Sequence, residues 1–511
     1  MRRAAPPEAG ASSSALLASE RYLEPRGGPS GRGRALVLYP NSYAVAMSSL
    51  ATHTLWRRLG EAGWEVHRAF LDPRPGHSLE TGEPLRSYDL IACTCSFELD
   101  YFHLAALLEA GGVPALRAER GPEAPLLIAG GPAVTANPAP LAPLLDLLFL
   151  GELEPVWPEL SAALAEGPGA LEAAAAVPGV YRPDRPPAAP IPRQVLREVD
   201  AFPTASLALT PLAELSDMFL VEAGRGCPQS CRFCLSREIY HPFRPRSLEA
   251  LLATIRPALA VTPRVGLVGA ALSDHPRLLE LCETLAAEGA QISTSSLRAD
   301  KLHPRLLEIL AGSGARSVTL APEAGTEELR AALGKRISQE QILTAAEAAL
   351  AAGLHGIKLY FLVGVPGETP ADREAIAALI ADLRRRAPRL RLEVALSPLV
   401  PKPHTPYEGL EMPPVAEMRA REREVRQAVG RLGVRLTAGS ARWALVQTAL
   451  SRGGEELGPV LVAAARAGGD FSAFTRALRQ AGLRLEDYLR PPADPPWRIV
   501  RMDGCGDHGG T

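Results

Sequence analysis

Cys227, Cys231 and Cys234 lie on one short run, Glu222-Ala223-Gly224-Arg225-Gly226-Cys227-Pro228-Gln229-Ser230-Cys231-Arg232-Phe233-Cys234. The spacing is C-x3-C-x2-C. Three thiolates on a single loop can hold three corners of a cubane iron–sulfur cluster. A cubane has one iron more than this loop has cysteines, so that iron stays open. An open iron can chelate a small amino acid-like ligand through its amine and carboxylate. Gly224 and Gly226 let the backbone curve around a cluster without Cβ clashes, and Pro228 stiffens the turn. The other chemistry this spacing serves is a zinc site, with His241 as the candidate fourth ligand.

The elements around the motif set its place in a fold. It directly follows the first strand of a series of alternating strands and helices that begins at Met218. Strands are expected at 219–223, 265–268, 291–294, 318–321, 357–363 and 392–396, with helices at 248–259, 276–287, 304–310, 339–352 and 371–386. Ser338 and Gln341 form a capping box before the fourth helix. Six successive βα units predict an open or incomplete (β/α)6 TIM-like barrel whose functional face is the carboxyl ends of its strands. An earlier series begins at Arg34, with apolar runs at 35–39, 66–71, 90–95, 126–129 and 147–150. Continuous apolar strands between helices predict a parallel sheet covered on both faces, here of flavodoxin-like (Rossmann-type) α/β class. Its strand ends read Pro40-Asn41-Ser42, Ser96-Phe97-Glu98 and Gly130-Gly131-Pro132, where ligands of such sheets sit.

These patterns divide the chain into a disordered start (1–32), a flavodoxin-type domain (33–165), a Pro-rich linker (166–214), the barrel (215–425), a small helical region (426–490) and a flexible tail (491–511). Pro178, Pro183, Pro186, Pro187, Pro190 and Pro192 exclude a long helix in the linker. Beyond Pro401, helices are expected at 415–430, 441–451 and 472–481.

Composition narrows the functional classes. Lys+Arg is 55 and Asp+Glu 57 in 511 residues, a net charge of −2 that argues against a generic polyanion binder. Nucleic acid is therefore not indicated as a partner. Only Lys301, Lys335, Lys358 and Lys402 are lysines, which reads as a compositional bias toward arginine. Seven cysteines are too few for a disulfide scaffold. There is no apolar run of membrane-spanning length and the start lacks a signal-peptide core, so a soluble cytoplasmic protein is expected. Cys93 and Cys95 share one side of a strand and read as core, as does Cys282; Cys505 lies in the tail and reads as inert. Lys402 and His404 form either a substrate contact or a rigid exit turn.

The cysteine motif resembles the signature of the radical S-adenosylmethionine (SAM) superfamily. That resemblance implies a [4Fe–4S] cluster on Cys227, Cys231 and Cys234, with SAM on the open iron, and reductive cleavage of SAM to a 5′-deoxyadenosyl radical. It also implies an electron donor such as a flavodoxin or ferredoxin. Other segments resemble the superfamily's SAM contacts: Gly269 at the second strand end, Ser295 and Arg298 at the third, Glu323 at the fourth, and Gly364 in the Gly–Pro–Gly–Glu turn. Gly224, Gly226 and Phe233 join them from the motif itself.

The likeness runs from about Arg34 to Tyr407, and the first domain resembles the cobalamin-binding domain that precedes many such barrels. Its matching phrases are 38–43, 130–138 and 150–154; after the barrel, 397–407 matches as well. The usual cobalt-ligating D-x-H-x-x-G motif is absent, and His67, His77 and His103 lie in no such context. Two readings of this domain stay open: a cobalamin site without a lower histidine, or a degenerate domain kept for packing or substrate binding. The implied functions are accordingly a cobalamin-dependent methyltransferase, a radical SAM enzyme without cobalamin acting on RNA, protein or a small metabolite, or a non-catalytic iron–sulfur adaptor. A second cluster of the methylthiotransferase kind would need three more cysteines before Cys227, where only Cys93 and Cys95 occur.

Overall fold

The computed structural model describes residues 11–24 and 31–502. The chain forms two compact units. The N-terminal unit takes the described residues up to Leu220, together with 449–488 and those after 491; the barrel unit takes 221–448 and 489–491.

The N-terminal unit is built on six strands, β1 (Arg34–Leu38), β2 (Glu65–Ala69), β3 (Leu90–Thr94), β4 (Leu126–Gly130), β5 (Leu147–Phe149) and β6 (Val180–Tyr181). Their order is β2-β1-β3-β4-β5-β6. The first five run parallel, in registers such as Ala35↔Val66, Ala35↔Leu90, Leu90↔Leu126 and Ile128↔Leu147; β6 is antiparallel to β5. This is the flavodoxin-like arrangement the apolar runs predict. Ala35, Leu36, Val37 and Leu38 are wholly buried because both faces of the sheet are covered.

Helix Asp100–Ala110 is buried almost all round. Helix Leu457–Arg466 packs against it, and Phe474 of the next helix, Phe471–Gln480, meets Phe102 edge-on. The expected helical region 426–490 is therefore divided. Its part from 449 onward completes the N-terminal unit, because the outer apolar face of Asp100–Ala110 would otherwise lie in water. Asn137 Nδ2 fixes the approach by donating to the carbonyls of Ser451 (3.1 Å) and Gly453 (2.9 Å). Helix Leu457–Arg466 escapes a pattern reading because Gly458 and Pro459 open it, although proline is at home in a first turn.

The described parts of the expected disordered start, linker and tail are ordered as well. Helix Ser13–Ser19 is capped by Ser12 and buries Leu16; Arg21–Tyr22 pairs with Ala208–Leu209. The linker carries helix Ala170–Ala175 and β6, and its Ile191–Pro192 pairs with Val500–Arg501. Cys505 lies outside the described residues. Glu20 explains why the start is held. Its carboxylate makes a two-pronged pair with Arg68 (2.8 Å each) inside the unit, and Glu80 takes the third edge of that guanidinium. Arg68 also stacks over Trp56 at 3.9 Å.

The barrel strands are β7 (Phe219–Glu222), β8 (Arg264–Val268), β9 (Gln291–Thr294), β10 (Ser317–Glu323), β11 (Gly356–Val363), β12 (Arg391–Pro398) and β13 (Arg435–Ala438). The first three form one sheet and the last four a parallel one; a parallel bridge, Leu297↔Leu320, links the segment just after β9 to β10. All six expected strands are present. β13 is a seventh, an edge strand whose four residues alternate exposed and half-buried and whose mixed sequence gives almost no apolar signal. The capping box at Ser338 forms, and Thr369 with Asp372 makes another. No helix among the described residues is long and apolar enough to cross a membrane.

The Glu20–Arg68 pair is testable. Burial pushes the Glu20 carboxyl up, but the charge and hydrogen bonds of Arg68, aided by Tyr22 and Tyr43, outweigh it and hold it below the usual carboxylate value. Glu20→Ala leaves part of a fully buried guanidinium unpaired and should cost about 3–5 kcal/mol in urea unfolding at pH 7. Glu24→Ala, at the exposed Arg57 pair, should cost less than about 1 kcal/mol. The Glu20 contribution is complete above the unfolded carboxylate value of about 4.3 and is lost as pH falls through the lower folded value. The gap between native and Glu20→Ala proteins should therefore narrow on acidification.

Candidate active site

The cysteine loop is shaped by backbone at both ends. After β7 the chain makes a two-residue strand, Gly224–Arg225, paired antiparallel with Arg244–Pro245. Gly226 then turns with φ +82°, and a Cβ there would overlap the Tyr240 and Pro242 carbonyl oxygens, so only glycine fits. At the far end, Arg232 N–H donates to Leu333 O (2.9 Å) and Ser230 Oγ to Gly334 O (3.1 Å). Gly334 is left-handed too, and a Cβ on it would strike the Ser230 carbonyl. The loop is thus clamped between the 240–245 segment and the 333–335 turn, and helix Leu235–Ile239 begins directly after Cys234.

Cys227, Cys231 and Cys234 are free and half-buried. Burial pushes all three thiols up, Cys231 to about 11, against the opposing charge of Lys335. A thiolate here needs a metal as partner, and metal binding would release protons. Among the described residues no three His, Cys, Asp or Glu side chains are already drawn together as a single-ion site.

Charged groups from the following strand ends gather around the loop. Glu323 ends β10 with φ +71°, where the register with β11 slips, and its Oε1 lies 2.8 Å from Lys335 Nζ. A left-handed glutamate is strained backbone, which persists only where neighbours impose it. Burial raises the Glu323 carboxyl, and Lys335 opposes the rise. Beyond β9, Arg298 forms a two-pronged pair with Asp300 (3.0 and 2.9 Å), and its N–H donates to Ser273 Oγ. Its charge reaches Cys227 and Cys231. Beyond β8, Asp274 Oδ1 accepts from Gln229 Nε2 of the loop (2.8 Å), while Oδ2 is buried with no hydrogen-bond partner.

The residues singled out from sequence fall into two sets. Gly224 and Gly269 lie against one another, joined by Ala223 N–H donating to Val268 O (2.8 Å), and Ser295 Oγ lies 3.5 Å from Gly269 O. With Arg298 and Glu323 they share the mouth of the barrel with the cysteine loop. Gly364 and Phe233 serve the frame. Gly364 (φ +83°) precedes a type II turn, Val365–Glu368, with Pro366 and Gly367 at its centre and Glu368 N–H donating to Val365 O, and the Gly364 N–H donates to Glu368 Oε2. Arg373 and Arg421 pin that carboxylate. Phe233 packs against an apolar cluster of Ala324, Leu333, Val365 and Leu399.

Lys335, Asp274 and Gln229 went unread in the sequence; Lys335 alone carried a signal, as one of four lysines. His404 is left-handed with its N–H on Glu408, a rigid turn. Cys93 and Cys95 sit 3.7 Å apart in the N-terminal core, and burial lifts the Cys282 thiol to about 12.

Comparison with known proteins agrees with this construction. Residues 221–380 match the Radical SAM superfamily, and residues 70–183 match a family described as radical SAM proteins, N-terminal. An uncharacterized protein of Methanocaldococcus jannaschii is 31% identical over 433 residues, covering 83% of this chain and 90% of that protein. An uncharacterized methyltransferase of Pyrococcus horikoshii is 26% identical over 301 residues, covering 56% of this chain and 62% of that one.

Among solved structures, the radical SAM methyltransferase TsrM of Kitasatospora setae, with tryptophan substrate and a SAM analogue bound, superposes with a TM-score of 0.52. That match has 14% identity and covers 74% of this chain and 77% of TsrM. The cobalamin-dependent radical enzyme OxsB matches at a TM-score of 0.49 and 17% identity, covering 68% of this chain and 52% of OxsB. The chain belongs to the radical SAM superfamily. It is a radical SAM enzyme, and its cofactors include a [4Fe–4S] cluster and SAM.

Gly226→Ala should displace the loop and lose most of the iron that the native chain incorporates on anaerobic reconstitution, measured as iron and sulfide per chain. Gly289→Ala has the same left-handed backbone but open space around it. It should keep its iron and lose about 1 kcal/mol of stability.

Proposed function

We propose that Cys227, Cys231 and Cys234 hold three irons of the cluster, that the ends of β8, β9 and β10 bind SAM beside it, and that the N-terminal unit binds cobalamin for methyl transfer. The observation that carries the first part is the set of three free, clamped thiols at the carboxyl end of β7, faced by charged groups from the next strand ends. When bound, the cluster supplies the electron that cleaves the sulfonium. The chain's own residues orient that event. Gly224 and Gly269 leave room for close backbone approach, Arg298 and Lys335 balance the negative charge of a thiolate cluster, and Asp274 Oδ2 offers an acceptor.

Cobalamin is supported by the parallel sheet before the barrel, whose carboxyl edge is the ligand edge of this architecture. Methyl transfer is supported by the name of the Pyrococcus horikoshii relative and the fold of TsrM. The absent D-x-H-x-x-G motif favours the second reading, radical SAM chemistry without cobalamin on RNA, protein or a small metabolite. A flavodoxin or ferredoxin would deliver the electron. A reducing cytoplasm suits the free cysteines.

Chain reconstituted without oxygen and given SAM and dithionite should yield 5′-deoxyadenosine or another SAM cleavage product by mass spectrometry, and should retain hydroxocobalamin through gel filtration. Cys231→Ala should lose cleavage to background. Absence of any SAM cleavage by native protein would favour a non-catalytic adaptor. Absence of both cobalamin retention and cobalamin stimulation would leave only the second reading.

A further inference from the structure

Resting on the cobalamin reading, the geometry points to His103 Nε2 as an axial ligand to cobalt, in a sequence context unlike the usual motif. The strand order β2-β1-β3 reverses at β1. Connections leave the carboxyl ends of β1 and β3 in opposite directions, and the crevice between them is where such sheets bind ligands. His103 stands at that crevice, in the first turns of helix Asp100–Ala110, which follows β3.

Its ring is held from behind. Nδ1 lies 3.1 Å from the carbonyl oxygen of Pro40, the second residue beyond β1, and 3.6 Å from Asp100 Oδ1. Asp100 is fixed in turn, since Oδ1 accepts from Asn41 Nδ2 at 3.0 Å. A carbonyl oxygen can only accept, so Nδ1 carries the proton and the neutral ring has its lone pair on Nε2. Among the described residues Nε2 has no partner, and the side chain is 44% exposed. This is how metal-binding histidines are prepared: one ring N–H given to a carbonyl or carboxylate, the other nitrogen presented to the metal.

Among the other described histidines of this unit, His53 and His67 have both ring nitrogens engaged, and His77 lies on the loop after β2, away from the β1–β3 crevice. His53 uses Nε2 on Met47 O and Nδ1 on Leu207 N–H. His67 meets Tyr88 through Nδ1 and Glu65 through Nε2. His77 bonds within its own loop, to Pro75 O. The loop leading into the His103 helix also leaves Phe97 42% exposed. Ligation forms one cobalt–nitrogen bond as one cobalt–water bond breaks, with no change in oxidation state.

The test uses electron paramagnetic resonance of full-length protein loaded with hydroxocobalamin and reduced to cob(II)alamin. An axial nitrogen splits each cobalt line into a triplet with nitrogen-14 and a doublet with nitrogen-15. Protein grown on nitrogen-15 histidine should show the doublet, which also separates histidine from the cofactor's own unlabelled base. His103→Gln should retain cobalamin and lose the doublet, and Asp100→Asn should weaken it. Retained cobalamin whose lines ignore the label, or a doublet that survives His103→Gln, would overturn the assignment while leaving the cobalamin reading intact. Failure of native protein to retain hydroxocobalamin would overturn both.

Discussion

Burial is hostile to a thiolate, and this site exists because the barrel half-buries three thiols on one loop. Leaving water favours the protonated sulfur, which lifts Cys231 to about 11. Such groups contribute little to stability until a metal arrives, so the backbone has to shape the loop. Two left-handed glycines do this, Gly226 against the 240–242 carbonyls and Gly334 against Ser230. Each lets main chain approach main chain more closely than any side chain allows. The cost is entropy in the unfolded chain, and the surrounding barrel supplies the contacts that offset it.

The charges around the loop follow from the same constraint. A cluster held by three thiolates brings negative charge into a low-dielectric mouth, and Lys335 and Arg298 stand where that charge would fall. Each is itself restrained by a carboxylate, Glu323 and Asp300. Glu323 is kept in a conformation that glutamate avoids, at a slip in strand register, and its side chain meets Lys335. Strain and buried charge thus meet at a strand end, where this class of barrel does its chemistry.

The architecture was legible where apolar residues repeat. Leu36, Ile91 and Leu359 belong to runs that only a covered parallel strand accommodates, and the expected strands formed there. The cysteine spacing likewise announced the loop. What escaped was set by long-range partners. Glu20 lies in the stretch expected to be disordered, yet it answers Arg68, 48 positions away. Helix Leu457–Arg466 was not among the expected helices, and it forms packed against Asp100–Ala110. Gln229 and Asp274 are ordinary polar residues in sequence, made significant by folding β8 beside β7. The Asp100–His103 pair has no motif because its third member, the Pro40 carbonyl, is main chain.

The central claim is that the clamped loop carries an iron cube with one corner free for SAM. Mössbauer spectroscopy of chain reconstituted with iron-57, recorded with and without SAM, tests it most directly. The account predicts a cubane in which one iron separates from the other three when SAM is added. Four irons that remain indistinguishable with SAM, or a spectrum of isolated iron bound to sulfur, would contradict it.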